Sequence, residues 1–314
     1  MPDAGRHYPP GMGRTVVIVG SPTALGGHLA GMERTPAELR RLGLAGRLAA
    51  RPGLAGTAWS DAGDAANDPG WAPDPDPRAK NRERICAYLP RLADHVASGI
   101  GTAGPGASLL VIGGDCTSHA GAMAGLRRAQ PGLRLGLAWF DAHGDFNVPD
   151  TTPSGNVWGM PFAMACGRGE RDLLAACDAP TVREADAALL GGQVLDEQES
   201  RLLAASAVAH FGAGMLADPA GQAALRGWSA TVAGRIDGWY IAFDLDALDE
   251  AGDWAVMMPE PGGLSLETAL EAVRIVAASG PVLGFGATAV RFGAGGDAER
   301  TTEAVAALVE AALA

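Results

Sequence analysis

A chain of 314 residues, 47% of them hydrophobic, can bury a sizeable core, and its 45 glycines and 21 prolines are dispersed, so disorder is excluded. A net charge of −12 argues against nucleic acid or an anionic membrane as the main partner, although much of that acid reads equally well as ordinary solvated surface. Cys86, Cys116, Cys166 and Cys177 form neither a CxxC pair nor a disulfide framework, which suits a reducing compartment. No signal peptide is visible and no apolar run reaches the roughly 18–20 residues of a membrane span, so a soluble, cytoplasmic protein is expected.

In chain order, residues 1–14 are polar and contain Pro and Gly, and are expected to be a flexible N-terminal segment. Thr15 to Pro22 reads as a buried strand ending in a turn, followed by a Gly-rich loop. Thr35-Pro36-Ala37-Glu38 then has the pattern of an N-cap, Pro at N1 and an acidic first turn, with LGLAGRLAA carrying the helix on. Asp61 to Lys80, rich in Asp and Pro, reads as a surface excursion. An amphipathic helix from Asn81 to Ser98 precedes a strand and polar turn, Ser108 to His119, and a further helix. The same pattern recurs at Leu133, at residues 181–205 with a helix over Glu197 to Ala205, and at Gly238 to Phe243. A helix at Ser265 to Ala278, a strand at Pro281 to Thr288 and a helix at Thr301 to Ala314 complete the chain. This alternation, without a break or repeat, predicts a single doubly wound α/β domain over residues 15–314.

Three of the strands end in polar clusters: Asp115-Cys116, Asp141/His143/Asp145 and Asp244/Asp246. A lone Asp at such a place reads as helix capping or an Asx-turn. If the strand that begins at Leu133 continues, Asp141, His143 and Asp145 at i, i+2 and i+4 project to one face. Ligands of open α/β sheets lie outside the carboxyl ends of the strands. Several carboxylates, one imidazole and one thiol gathered there are too much charge for one divalent ion. Two ions sharing bridging carboxylates fit better, and such a pair acidifies a bridging water and presents hydroxide to an electrophilic carbon. The oxygen-rich set favours a hard ion such as Mn²⁺, whereas the soft Cys116 tilts its site toward Zn²⁺ or Fe²⁺.

These motifs resemble those of the arginase/agmatinase (ureohydrolase) family from about Val16 to Leu308. GSPTALGG…GMERTPAELR is similar to that family's first loop and helix, and GGDCTSH to its Gly-Gly-Asp-His-Ser motif. DAHGDFN with TTPSGNVWGMP resembles its metal-and-substrate loop, and AFDLDALDE with the later PGGLS resembles its last Asp motif and the turn after it. The resemblance implies an arginase-like three-layer α/β/α fold with a mostly parallel sheet and a binuclear Mn²⁺ centre, two ions per chain. It also implies attack of a metal-bridging hydroxide on a guanidinium carbon and a homo-oligomer, trimer or hexamer. Carried over by position, the metal ligands are Cys116, Asp141, His143, Asp145, Asp244 and Asp246, with Asp141 and Asp244 bridging. Asp145 and Asp141 take the catalytic roles, Asp145 orienting the nucleophile and passing a proton. Cys116 stands where the family has His; it reads as a thiolate ligand or as an inert buried thiol.

On the substrate side, Asn147, Ser154 and Asn156 occupy positions that hold an α-carboxylate in arginases, and Asp196, with Glu199 behind it, occupies that of the acid taking the α-ammonium. Read without the family, they are loop-forming polar residues. At the reacting end Trp158 stands for the family's His, Ala289 for its guanidinium-pairing Glu, Met258 for the supporting Thr and Glu250 for a Pro. Loss of that carboxylate removes charge-assisted hydrogen bonds, so arginine itself is not expected. Part of the pattern is similar to hydroxyarginine hydrolases of antibiotic biosynthesis, a branch that keeps the carboxylate replaced here by Ala289. The expected function is hydrolysis of a C–N bond in an α-amino acid with a modified guanidino or amidino group, such as Nω-hydroxyarginine. The alternative is a catalytically degenerate protein on the same scaffold, a metal- or ligand-binding subunit or hetero-oligomer partner. His119, at i+3 from Cys116, could approach the site if a helix starts there but reads first as a helix-face residue, and His28 has no motif around it.

Overall fold

Short runs rich in Val, Leu, Ile, Ala and aromatic residues form strands in the computed structural model, which describes residues 14–66 and 76–314. They are β1 (Thr15–Gly20), β2 (Ala58–Asp64), β3 (Ser108–Ile112), β4 (Leu135–Asp141), β5 (Val182–Gly191), β6 (Ala209–Phe211), β7 (Gly238–Asp244) and β8 (Val282–Thr288). They lie in one sheet in the order β2-β1-β3-β8-β7-β4-β5-β6, and every pairing is parallel, where a mostly parallel sheet was expected. Parallel neighbours need a crossover, and helices supply it. The helices are α1 (Thr35–Arg41), α2 (Leu44–Ala49), α3 (Arg82–Ala103), α4 (Thr117–Ala129), α5 (Pro161–Ala165), α6 (Arg171–Ala176), α7 (Glu197–Ala204), α8 (Ala213–Leu216), α9 (Pro219–Ala233), α10 (Leu266–Ser279) and α11 (Ala298–Leu313). None of those described is long and apolar enough to cross a membrane.

Because side chains alternate across a strand, each central strand feeds two separate cores. Val16, Ile18, Leu110, Phe140, Ile241, Phe243 and Phe285 point to the face covered by α1, α2, α9, α10 and α11. Val17, Val19, Leu109, Trp139, Tyr240 and Ala242 point to the face covered by α3 to α7. Sheet and two helical layers make the expected three-layer α/β/α architecture. By the same alternation Asp141, two residues past Trp139, and Asp244, two past Ala242, face the α3–α4 side. The register Phe140↔Phe243 sets them next to each other.

Several local expectations need correction. Asp61 to Asp64 belong to β2 rather than to a surface excursion. That strand is paired on one side only, so it carries polar residues, and Arg40 bonds Asp61 across the edge, which hides it from a search for apolar runs. Residues 67–75 of the Asp/Pro-rich stretch, and residues 1–13, fall outside those described. Thr35 does not cap α1: its hydroxyl donates to the carbonyl of Val290, 2.6 Å away, and ties the helix to the chain after β8. Gly43 in the left-handed region separates α1 from α2, where one continuous helix was expected.

Phe285 is fully buried at the centre of the sheet and stacks on Phe243 with ring centroids 6.3 Å apart. Phe285→Ala is expected to cost about 3–5 kcal/mol, read as a lower urea midpoint with the slope unchanged.

Candidate metal centre

Strand β4 stops at Asp141, so the condition under which the pleat would carry His143 and Asp145 to one face with it, continuation of the strand to residue 145, is not met. The chain turns instead: the Asp141 carboxylate accepts from the backbone N–H of His143 (2.8 Å), and Asp145 adopts a left-handed conformation at φ 48°. The loop therefore folds its three polar residues onto the strand end. Cys116 arrives at the junction of β3 and α4, and Asp244 and Asp246 arrive from β7 and the 3₁₀ turn after it (Leu245–Ala247).

Two donor groups result. Cys116, Asp141, Asp145 and Asp244 each present a ligand atom within 4.8 Å of the others, and so do Asp141, His143 and Asp246. Asp141 is common to both. His143 Nδ1 lies 3.2 Å from Asp141 and 3.7 Å from Asp246. Asp145 Oδ2, Asp244 Oδ2 and Asp246 Oδ1 are buried without a hydrogen-bond donor, as is His143 Nε2. Buried polar atoms of this kind are rare unless a ligand completes them. A carboxylate-rich donor set with unpartnered oxygens aimed at shared points fits a pair of divalent cations.

The electrostatics agree. Burial, reinforced by the neighbouring carboxylates, pushes Asp145, Asp244 and Asp246 well above the usual carboxylate range. Burial and the same acids push the Cys116 thiol well up. Asp141 behaves oppositely: burial raises it, but the hydrogen bond and charge of His143 outweigh burial and hold it low. Burial alone would lower His143, yet Asp141, Asp246 and Glu260 overcome it and push the imidazole up to about 10. Such a site strongly attracts positive charge.

Above the donor groups lies a cavity of about 310 Å³. Cys116, His143, Asp145 and Asp246 form its floor, with Asp141 and Asp244 buried below. Asn147, Ser154, Asn156, Trp158, Asp196 and Glu199 all line it, so the structure brings every substrate-side candidate to one place. Their local bonds are also those of a built loop. Asp196 caps α7 through the backbone N–H of Glu199 and accepts from Asn147 Nδ2 (2.8 Å). Glu199 accepts from the N–H of Phe146 (2.9 Å), and burial pushes it up to about 7. Asn156 Nδ2 bonds His28 Nδ1 (2.9 Å), and Asn156 Oδ1 accepts from Lys80 (3.2 Å). Asp115, by contrast, takes no part in the cavity. Its carboxylate accepts from the N–H groups of Gly26 (2.8 Å) and Thr117 (2.9 Å), the turn role open to a lone Asp.

The arginase family model matches residues 14–314. The chain belongs to the arginase family. It is 30% identical to the arginase of Bacillus subtilis (strain 168) over 261 residues, covering 81% of this chain and 82% of that protein. It is 32% identical to the arginase of Brevibacillus brevis over 256 residues, 81% and 83% of the two chains. The crystal structure of arginase from Bacillus cereus superposes with a TM-score of 0.82 at 27% identity, covering 95% of this chain and 98% of that one. The positions at which the sequence resemblance implies departures from the family pattern fall together. Trp158, Met258 and Ala289 line the same cavity, joined by Met32, Met257 and His28.

Some residues of this arginase-family site escaped the sequence reading. His119 is fully buried and approaches the site, the second of the two readings that its spacing from Cys116 left open. Its Nε2 lies 3.1 Å from Asp244 and 2.8 Å from Thr288 Oγ1, its Nδ1 lies 3.0 Å from the Tyr240 hydroxyl, and Thr288 also donates to Asp244. Burial lowers this imidazole to about 3, so it stays neutral. Room for it comes from Gly286 on β8, where an added Cβ would stand 2.5 Å from the ring. Glu260 Oε1 sits 3.5 Å from His143 Nε2, on the side of the ring away from Asp141. The available signals were the i+3 spacing of His119 from Cys116 and the Gly-Phe-Gly alternation of β8.

In the cation-free fold Asp145, Asp244, Asp246 and Glu199 hold their protons to higher pH than in the unfolded chain, and His143 does so between about 6.5 and about 10. Their stabilisation is complete at low pH and is lost as pH rises. His119, lowered by burial, works the opposite way below about 6.5, so the melting temperature of the chelated protein is expected to fall from about pH 6.5 to about pH 8, and saturating divalent ion to raise it most at the upper end. A pH-independent melting temperature, unmoved by added ion, would contradict this account of the site.

Proposed function

We propose that the protein is an amidinohydrolase of ureohydrolase type, cleaving a C–N bond of an α-amino acid that carries a modified guanidino or amidino group. The observation that carries this reading is the pair of donor groups sharing Asp141 at the floor of a cavity whose outer end holds amide, hydroxyl and carboxylate groups. Cys116, Asp141, Asp145 and Asp244 would hold one divalent ion and Asp141, His143 and Asp246 the other, with Mn²⁺ the ion expected; Asp141 is shared by both groups, while Asp244, which the resemblance implies as a second bridging ligand, belongs to the first. Bound there, such ions supply Lewis-acid chemistry and acidify water at neutral pH.

The chain's own groups do the rest. Asn147, Ser154 and Asn156 offer donors for an α-carboxylate, and Asp196 with Glu199 offers acceptors for an α-ammonium. These contacts fix the distance from the amino-acid head to the floor. Asp145, with one oxygen unpartnered and facing the cavity, is placed to orient the attacking water and carry its proton to the leaving nitrogen. Trp158 covers the site and restricts water. The second reading, a degenerate metal- or ligand-binding subunit, draws on Ala289, Met258 and Trp158, which supply none of the polar contacts expected at the reacting end.

Metal analysis after loading with Mn²⁺ is expected to find close to two ions per chain, and Asp141→Asn, which alters the shared ligand, to lower both occupancies. Release of urea or a substituted urea is expected from a panel of guanidino amino acids, and Asp145→Asn, assayed at saturating Mn²⁺, is expected to lower kcat by about a hundredfold or more. Two bound ions with no hydrolysis of any member would favour the degenerate reading. Less than one ion per chain would remove the hydrolase reading.

A further inference from the structure

We infer that this pocket selects, on the amidino group, a hydrocarbon substituent at the terminal nitrogen, so that the substrate is an Nω-alkyl guanidino amino acid rather than one with a free guanidinium. The inference rests on the amidinohydrolase reading and specifies its substrate. Its basis is the inner wall of the cavity. Met32, Met257 and Ala24, with Met258 and Trp158 against them, form a small apolar cluster separate from the two main cores. Met32, Met257, Met258, Trp158 and Ala289 face the same cavity as Cys116, Asp145 and Asp246.

This wall is built rather than incidental. Met257 N–H donates to the carbonyl of Ala289 (2.8 Å), and an antiparallel bridge pairs Val256 with Val290, so two chain segments hold the thioethers in place. Trp158 lies flush on Gly27, where an added Cβ would fall 1.7 Å from the indole, and its backbone N–H donates to the Gly26 carbonyl (2.9 Å). The indole is thus pinned by the first loop of the chain. Its edge-to-face contact with His28, at 5.4 Å, closes the remaining side.

The carboxylates lining the cavity are Asp145 and Asp246, committed to the donor groups, Asp196, bonded to Asn147, and Glu199, which accepts from Phe146 and is buried against Gly144, bonded away from the thioether wall. A free guanidinium brings five N–H donors and a full charge, and against this wall it finds neither acceptor nor counter-ion. Thioethers and an indole face instead favour hydrocarbon, and methionine adapts its shape to it. Each buried methylene adds about fourfold in affinity. An alkyl chain also screens the adjacent charge from water while the Trp158 face accepts it.

The reaction balances without any further reagent. Water adds to the amidino carbon as the bond from that carbon to the chain nitrogen breaks. From the alkylguanidinium both protons of the water end on the leaving chain nitrogen, giving a neutral N-alkylurea and a diamino acid with its side-chain amine protonated, with no change of oxidation state.

The Mn²⁺-loaded protein, titrated calorimetrically with L-arginine and Nω-propyl-L-arginine and assayed with both, tests the inference. We expect the propyl compound to bind at least about tenfold more tightly and to have the higher kcat/KM. Ala289→Glu, which returns a carboxylate to the wall, should swing the preference toward arginine by about tenfold or more. Met258→Thr, a milder change, should narrow the gap in the same direction. Equal or better binding and turnover of arginine by the parent protein would overturn the inference and leave the amidinohydrolase reading standing. Tight, propyl-selective binding without hydrolysis of either compound would do the reverse.

Discussion

Four carboxylates buried within a few ångströms of one another are the constraint around which this molecule is arranged. Asp145, Asp244 and Asp246 resist ionisation because they are out of water and their neighbours share their sign, while His143 holds Asp141 ionised. A chain that selects such an arrangement must either keep those acids protonated or supply positive charge. The unpartnered oxygens of Asp145, Asp244 and Asp246 mark where that charge is lacking. Hydrogen bonds satisfy only the outer edges of the cluster: Trp139 Nε1 donates to Asp141 (3.0 Å), and Thr288 and His119 hold Asp244. The inner edges are left for cations.

The scaffold meets this constraint through the parity of its strands. Asp141 and Asp244 end adjacent parallel strands with their side chains on one face, so their approach is set by backbone hydrogen bonding and not by loop conformation. The helix α4 starts at Cys116 and carries His119 beneath Asp244. Gly286 opposite leaves the space that an imidazole needs. An error in any of these choices would turn a carboxylate toward an apolar core, which is costly. Orientation of the donor groups is therefore inherited from the same packing that stabilises the sheet.

The cavity above divides into two chemistries. Its outer end is polar and cross-linked, with Asn147, Asp196, Glu199, Asn156 and His28 bonded to one another or to backbone. Its inner wall is sulfur and indole. The wall bears on what is bound and not on how the sheet closes, whereas the acidic floor is built on the strand ends themselves. Trp158, Met257, Met258 and Ala289 surround one space, which is why they make sense as a set.

Alternating apolar runs and helix signals in the chain determined the α/β class, the central strands and the polar residues at their ends, since burial on both faces demands continuous apolar strands and capping demands short polar side chains. Edge elements were less legible: β2 and β6 pair on one side, so water satisfies much of their surface and their residues need not be apolar. Tertiary structure alone decided that Asp145 reaches the site through a left-handed turn, that Asp115 serves the first loop and that His119 supports Asp244. Each of these depends on residues about a hundred positions away, or on a backbone angle that no local preference specifies. What a residue type can do is a property of the sequence; which partner it meets is a property of the packing.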